Sequence, residues 1–399
     1  MSDAGESGDL GARPDPADAP EPREPSLRLA DFRPRPMLRV PAHRVDRPRF
    51  PVIDAHNHLG SPFGGDWPER SPAELAAVLD EAGIEAIVDL DGGQGDALSR
   101  EIDRWRMPGR ERVVVFAGLD YPAWALDPSF GETEARRLRD SAARGARGLK
   151  VWKHLGLRAT APDGRLVAVD DARLDPLWAT AAELDLPVII HIADPVAFFE
   201  PLDAMNERWE ELHDHPDWHF WPTRPAGGSG PPDAPDAPGF PPFDELLPAF
   251  GRLVARHPGT IFVGAHVGCA AEDLGLVGRL LDANPNLYVD LAARLGELGR
   301  QPYTTRAFML RHADRILFGV DLAPEPAIYR LHYRFLETVD ESFDYGVDPV
   351  PSQGRWQIHG IGLPDDVLRK VYAENAARVL KIGLPALPGV AALPGAVHR

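Results

Sequence analysis

Five consecutive residues, Asp54-Ala55-His56-Asn57-His58, place two imidazoles and a carboxylate at alternate positions. Side chains alternate faces along a strand, so 54, 56 and 58 are expected on one side. Residues at i and i+2 lie roughly 6.5 Å apart along a strand. Two imidazoles at that separation can lean onto one ion with metal–nitrogen bonds of about 2.0–2.1 Å. A strand that gives its buried face to two histidines and a carboxylate loses apolar burial, and metal binding is the commonest reason. The plain alternative is a pair of solvated histidines at a strand end.

Three later segments repeat the design. Pro187-Val188-Ile189-Ile190 ends in His191, Ile261-Phe262-Val263-Gly264-Ala265 in His266, and Ile316-Leu317-Phe318-Gly319-Val320 in Asp321. One histidine at the end of an apolar strand is more often a hydrogen-bonded structural residue. Four such strands with their metal-competent groups at one end point to a cation site. Lys150 and Trp152 share a face of Gly148-Leu149-Lys150-Val151-Trp152-Lys153. An inward Lys150 could bridge metals, hold a substrate carboxylate, or form a structural ion pair. Arg294, just past the seventh apolar run, is placed for bidentate contact with an anionic substrate or for a surface ion pair. Trp218 and Trp221 could wall a pocket or anchor a loop. His213, His215 and His219 flank a proline-broken run, which favours surface or packing roles. Asp54 is expected to hydrogen-bond behind the ligands rather than ligate.

The elements that hold these groups can be read from periodicity. Strands are expected at 52–56, 84–90, 112–119, 148–152, 187–192, 260–266, 286–291 and 316–321. Amphipathic segments lie between them, one opened by the capping box of Ser71-Pro72-Ala73-Glu74. A helix over 369–382 closes the series. Strict alternation implies a parallel sheet with right-handed crossovers, and eight units close into an α/β barrel of the (β/α)8, or TIM, type. Asp91-Gly92-Gly93-Gln94-Gly95 comes after the second strand and lacks dinucleotide-binding spacing, so it reads as a plain loop. Two long insertions, 194–243 and 322–364, come after the fifth and eighth strands, on the face where barrels place their sites.

Composition bounds the rest. A net charge of −18 argues against nucleic acid or an anionic membrane as partner. The single cysteine, Cys269, excludes an intrachain disulfide and a cysteine-based zinc site. Residues 1–49 read as an acidic, Pro-rich disordered tail and extended lead-in, 50–384 as the barrel, and 385–399 as a C-terminal tail. With neither a signal-like start nor a membrane-length apolar run, a cytoplasmic protein is expected.

The ordered set Asp54-Ala55-His56-Asn57-His58, His191, Val263-Gly264-Ala265-His266, Phe318-Gly319-Val320-Asp321 and Glu374-Asn375-Ala376-Ala377-Arg378-Val379-Leu380 resembles the amidohydrolase superfamily. Within it, the resemblance is to the amidohydrolase-related group that includes aminocarboxymuconate-semialdehyde decarboxylase-like enzymes, and it covers roughly 50–384. It implies His56 and His58 as first-strand ligands and His191 as the fifth-strand ligand. Asp321 would bind the metal or take a proton from its water, and His266 would be the acid/base or a ligand to a second metal. In binuclear members a carbamylated lysine occupies the strand of Lys150. Three imidazoles and a carboxylate suit zinc, with manganese or iron as alternatives. The resemblance implies a small-molecule substrate and a homodimer. It is compatible with a hydrolase acting on an amide, lactone or ester, with a nonoxidative decarboxylase of a small aromatic or muconate-type acid, and with a silent binding scaffold.

Overall fold

Eight short parallel strands carry the molecule: β1 (Val52–Asn57), β2 (Ile84–Asp89), β3 (Val113–Val115), β4 (Leu149–Val151), β5 (Val188–Ile190), β6 (Phe262–Gly264), β7 (Leu287–Asp290) and β8 (Ile316–Leu317). The computed structural model describes residues 27–28, 31–32, 37–60, 65–109, 111–221, 239–346 and 351–383. The chain divides into 1–40 and 41–399, and the second unit contains the whole sheet. Most of the expected tail, the Gly/Pro-rich end of the first insertion and the stretch 385–399 lie outside the described residues.

Ladders join β1–β2–β3 and β4 through β8 in sequence order. The two seams between them are closed by backbone hydrogen bonds. Arg147 N donates to Val115 O (3.0 Å) and Lys150 N to Ala117 O (2.7 Å). At the other seam Ala55 N donates to Phe318 O and Asp321 N to His56 O, both at 2.9 Å. The sheet is thus a closed (β/α)8 barrel.

Alternation sorts the strand residues into two layers. Ile53, Ala55, Val88, Val114, Ile189, Val263 and Leu317 fill the interior. Val52, Ile87, Val113, Val115, Leu149, Val151, Val188, Ile190, Phe262 and Val289 face the helices. Lys150 is in register with Ile189, and Ile189 with Val263, so the lysine belongs to the inner layer.

The helices packed after the strands are α1 (Pro72–Ala82), α2 (Gly95–Arg104), α3 (Phe130–Arg144), α4 (Asp175–Glu183), α5 (Phe243–Arg256), α6 (Leu274–Ala283), α7 (Pro302–Arg311) and α8 (Pro326–Glu337). The Ser71–Glu74 capping box is present, and α1 ends at Gly83, whose φ of 79° suits glycine. α8 falls inside the segment expected as the second insertion. Tyr333 hydroxyl donates to Ala82 O at 3.0 Å, packing α8 on α1, so only the segment beyond Glu337 is extra to the barrel. The closing run is Asp365–Arg369, a π-helical turn Lys370–Glu374, and Asn375–Leu380. Asn375 Nδ2 donates to Ala313 O (2.7 Å) and Ile316 O (2.8 Å), while Ala373, Ala376 and Val379 enter the interior cluster. This run plugs the N-terminal mouth, leaving the opposite mouth for chemistry.

Candidate metal centre

The C-terminal mouth holds a cavity of about 600 Å³ lined by His56, His58, Lys150, Trp152, His191, His266, Arg294 and Asp321 among others. Both insertions wall it: Asp194, Phe198, Arg208 and Trp218 come from the first, Ser352 and Gln353 from the second.

One expectation fails at the first strand. β1 slips register against β2 between Asp54 and Asn57, which breaks the alternation. Asp54 lies between the interior residues Ile53 and Ala55 and turns away from the cavity. Its carboxylate accepts from Tyr329 hydroxyl (2.8 Å), Asn57 Nδ2 (2.9 Å) and the backbone N–H groups of His56 and Val320 (both 3.2 Å). It therefore ties β1 to β8 and α8, and touches neither imidazole. Burial raises its pKa to about 7, against the effect of those donors.

His56 and His58 converge on Asp321. His58 Nε2 is 3.2 Å and His56 Nε2 3.6 Å from Asp321 Oδ1, and His266 Nε2 is 3.6 Å from Oδ2. Each imidazole is oriented from behind. His56 Nδ1 is 2.8 Å from Asp290 Oδ2, His58 Nδ1 is 2.7 Å from Asp91 Oδ1, and His266 Nδ1 is 2.9 Å from Ala292 O. Carbonyls and ionised carboxylates only accept, so every Nδ1 carries a proton. In a neutral ring the Nε2 lone pair must then face inward. Three lone pairs aimed at one carboxylate repel unless a positive charge sits among them. The donor atoms of His56, His58 and Asp321 all lie within 4.8 Å of one another, which suits a divalent cation.

Without such a cation, protons and Lys150 meet the same need. Burial opposes charge on His58, but its contacts with Asp321 and Asp91 prevail and raise its pKa to about 9. Burial lowers that of His56, reinforced by Lys150, whose Nζ is 3.0 Å from His56 Nε2. Burial also lowers Lys150. For Asp321 burial acts upward, yet His56, His58 and His266 hold it well below the usual carboxylate range. His266 falls well below the usual imidazole range through burial and its neighbours His191 and Arg294.

Backbone strain collects here. His266, Val267 and Asp321 have φ of 58°, 58° and 54°, left-handed values unusual for residues with a side chain. Asp290 holds the turn by accepting from His266 N at 2.8 Å and Ala292 N at 3.1 Å.

The sequence profile of the amidohydrolase family matches residues 53–382. The chain belongs to the amidohydrolase family. No curated protein matches it. Among solved structures it is similar to an uncharacterized TIM-barrel protein from Bordetella bronchiseptica (15% identity, TM-score 0.50) and to 2,6-dihydroxybenzoate decarboxylase complexed with 2,6-dihydroxybenzoate (17%, 0.50). Each match covers 83% of this chain and 99% of the other. A dihydroxybenzoic acid decarboxylase from a Polaromonas species, with bound manganese and 2-nitroresorcinol, matches at 18% identity and TM-score 0.49 over 83% of this chain and 96% of its own. At these identities the likeness is one of fold.

The remaining expected residues of this amidohydrolase fall around the centre. Lys150 and Trp152 line the cavity, with the ammonium 4.9 Å from the indole ring and that ring stacked on His58 at 4.8 Å. Arg294 is 6% exposed and donates to Ala293 O at 2.8 Å; among the described residues it has no carboxylate within salt-bridge distance. His191 lines the cavity but stands outside the donor group, its Nε2 3.0 Å from Ala193 O. His213 stacks on Trp209, His215 on Trp218, and His219 Nε2 reaches Glu200 O at 2.8 Å.

Asp91, Asp290 and Asp194 are the residues that sequence reasoning missed. Asp91 lies in the loop read as plain, where it also accepts from Gly60 N at 2.8 Å. Asp290 had a signal, since Leu287-Tyr288-Val289-Asp290 is another apolar strand ending in a carboxylate. Asp91 had only its place after the second strand.

Proposed function

We propose that this amidohydrolase is a divalent-metal-dependent hydrolase that cleaves an amide, lactone or ester bond in a small molecule. The observation that carries the reading is the set of three Nε2 atoms converging on Asp321 at 3.2–3.6 Å, with that of His266 among them. His56, His58 and Asp321 would hold the cation; zinc suits this donor set best, with manganese or iron as alternatives. Such a cation polarises a substrate carbonyl and brings the pKa of a water molecule down from 15.7 to about 7.

The chain's own residues do the rest. His266 is neutral, with Nδ1–H committed to Ala292 O, so Nε2 is left as a base. Together with the ionised Asp321 it takes the proton of the attacking water and returns it to the leaving group. A decarboxylase would instead need a proton donor for carbon at the outset, whereas His266, with Nδ1–H held by Ala292 O, starts as a base, as hydrolysis requires. One lone pair serves one partner, so a cation on His56 displaces Lys150 Nζ, leaving the ammonium for a substrate oxygen. Arg294 is assigned to an anionic group of the substrate, and Trp152 to one wall of its pocket.

His266→Ala is expected to keep its metal and lose about 10²–10⁴-fold in kcat. The assay is turnover of a lactone, amide and ester panel with carbon dioxide monitored in parallel. Carbon dioxide release from aromatic acids, with no hydrolysis, would replace this reading with the decarboxylase one.

A further inference from the structure

Lys150, Lys153, Arg158, Arg208 and Arg294 all line the cavity, but their positive charges are not equally available. Lys153 is ion-paired with Asp194, and Arg208 with Glu211 and Glu297. Lys150 sits against His56 Nε2 at 3.0 Å. Arg158, exposed at the rim, donates to Asp217 O at 2.6 Å. Arg294 differs. It is 6% exposed, and among the described residues its guanidinium is bonded to Ala293 O alone, through Nη1. Holding a buried guanidinium without an anion is costly, which points to an anion from outside the chain.

The placement of that guanidinium is built into the fold. Ala293 has a φ of 54°, a left-handed value unusual for a residue with a side chain. Its carbonyl accepts from Arg294 Nη1 at 2.8 Å and from Gln353 Nε2 of the second insertion at 3.1 Å. The preceding carbonyl, Ala292 O, is 2.9 Å from His266 Nδ1. His266 and Arg294 are therefore held by adjacent peptide units, one at the reacting centre and the other beside it.

We propose that Arg294, steadied by Gln353, receives a non-reacting carboxylate of the substrate, so that the enzyme selects amides, lactones or esters bearing a free carboxylate close to the scissile bond. The inference rests on the preceding reading of a hydrolase site in this cavity. A guanidinium fork matches a planar carboxylate through two parallel hydrogen bonds. A phosphate dianion suits the place less well, because the Glu211 carboxyl is in the same wall: burial raises it, while Arg208 and Arg294 pull it back. Gln353 acts through Ala293 and is a positioning residue.

The test is calorimetric titration of the full chain, reconstituted with zinc, with benzoate and with its neutral isostere benzamide. Benzoate should bind at least about tenfold tighter, the scale of one hydrogen bond to a charged group. Arg294→Gln should bring the two ligands within about threefold by weakening benzoate and sparing benzamide. Gln353→Glu, which sets a carboxylate beside the guanidinium, should do the same with native circular dichroism. Equal or absent binding of the two ligands by the unaltered chain would overturn the proposal. So would a benzoate preference that survives in Arg294→Gln, since the carboxylate would then sit on the metal or Lys150. Failure of the hydrolase reading shows in the turnover panel, and failure of the carboxylate receptor in this titration.

Discussion

The imidazole of His58 is held from both ends, by Asp91 at Nδ1 and by Asp321 at Nε2. Its pKa of about 9 lies above the ordinary 6.5. In the metal-free chain the stabilisation this represents is complete below about pH 6.5 and is lost as pH rises through about 9. A cation at Nε2 must displace that proton, so affinity is linked to pH. Apparent zinc affinity should rise roughly tenfold per pH unit between 7 and 9, read by metal titration at fixed ionic strength. A flat profile would mean that His58 is not protonated in the metal-free protein. Asp91→Asn removes the carboxylate behind His58 and should weaken zinc by about 10–100-fold while the fold is retained.

At the scale of elements, much of the barrel is legible as apolar runs between amphipathic helices, because burial on both faces of a parallel strand leaves a simple trace. The strand-end groups His56, His58, His266 and Asp321 can be read from the same pattern. What the pattern misses is local geometry. A register slip in β1 turns Asp54 toward α8, and Asp194 of the first insertion comes within 3.3 Å of His191 Nε2. Neither leaves a periodic signature. Gly319 shows how tightly β8 approaches β1: an added Cβ would lie 2.9 Å from His56 Cβ and 3.3 Å from His56 N. Gly319→Ala should therefore push His56 off the centre and cost about 1–3 kcal/mol of stability by overpacking, measured by denaturant unfolding alongside zinc affinity. Unchanged zinc binding would show that the contact can relax.

Over the whole molecule, the two segments beyond the barrel meet above the cavity. Arg208, itself in the cavity wall, is ion-paired with Glu297 past β7 and with Glu211 at 2.8 Å. Arg355 of the second insertion grips Glu210 at 2.6–3.1 Å, and Arg300 grips Glu207 at 2.8 and 3.0 Å. Arg208 and Glu297 are each 1% exposed, so removing one charge strands the other. Arg208→Met should cost about 3–5 kcal/mol in denaturant unfolding. A loss under about 1 kcal/mol would mean that the first insertion is held by its aromatic contacts instead. Among the described residues no helix is long and apolar enough to cross a membrane.

Metal content decides the central claim most directly. Purified protein reconstituted with zinc should carry about one ion per chain, and His56→Ala and His58→Ala should carry almost none while keeping native circular dichroism. Full zinc occupancy in both variants would contradict a centre built from His56, His58 and Asp321.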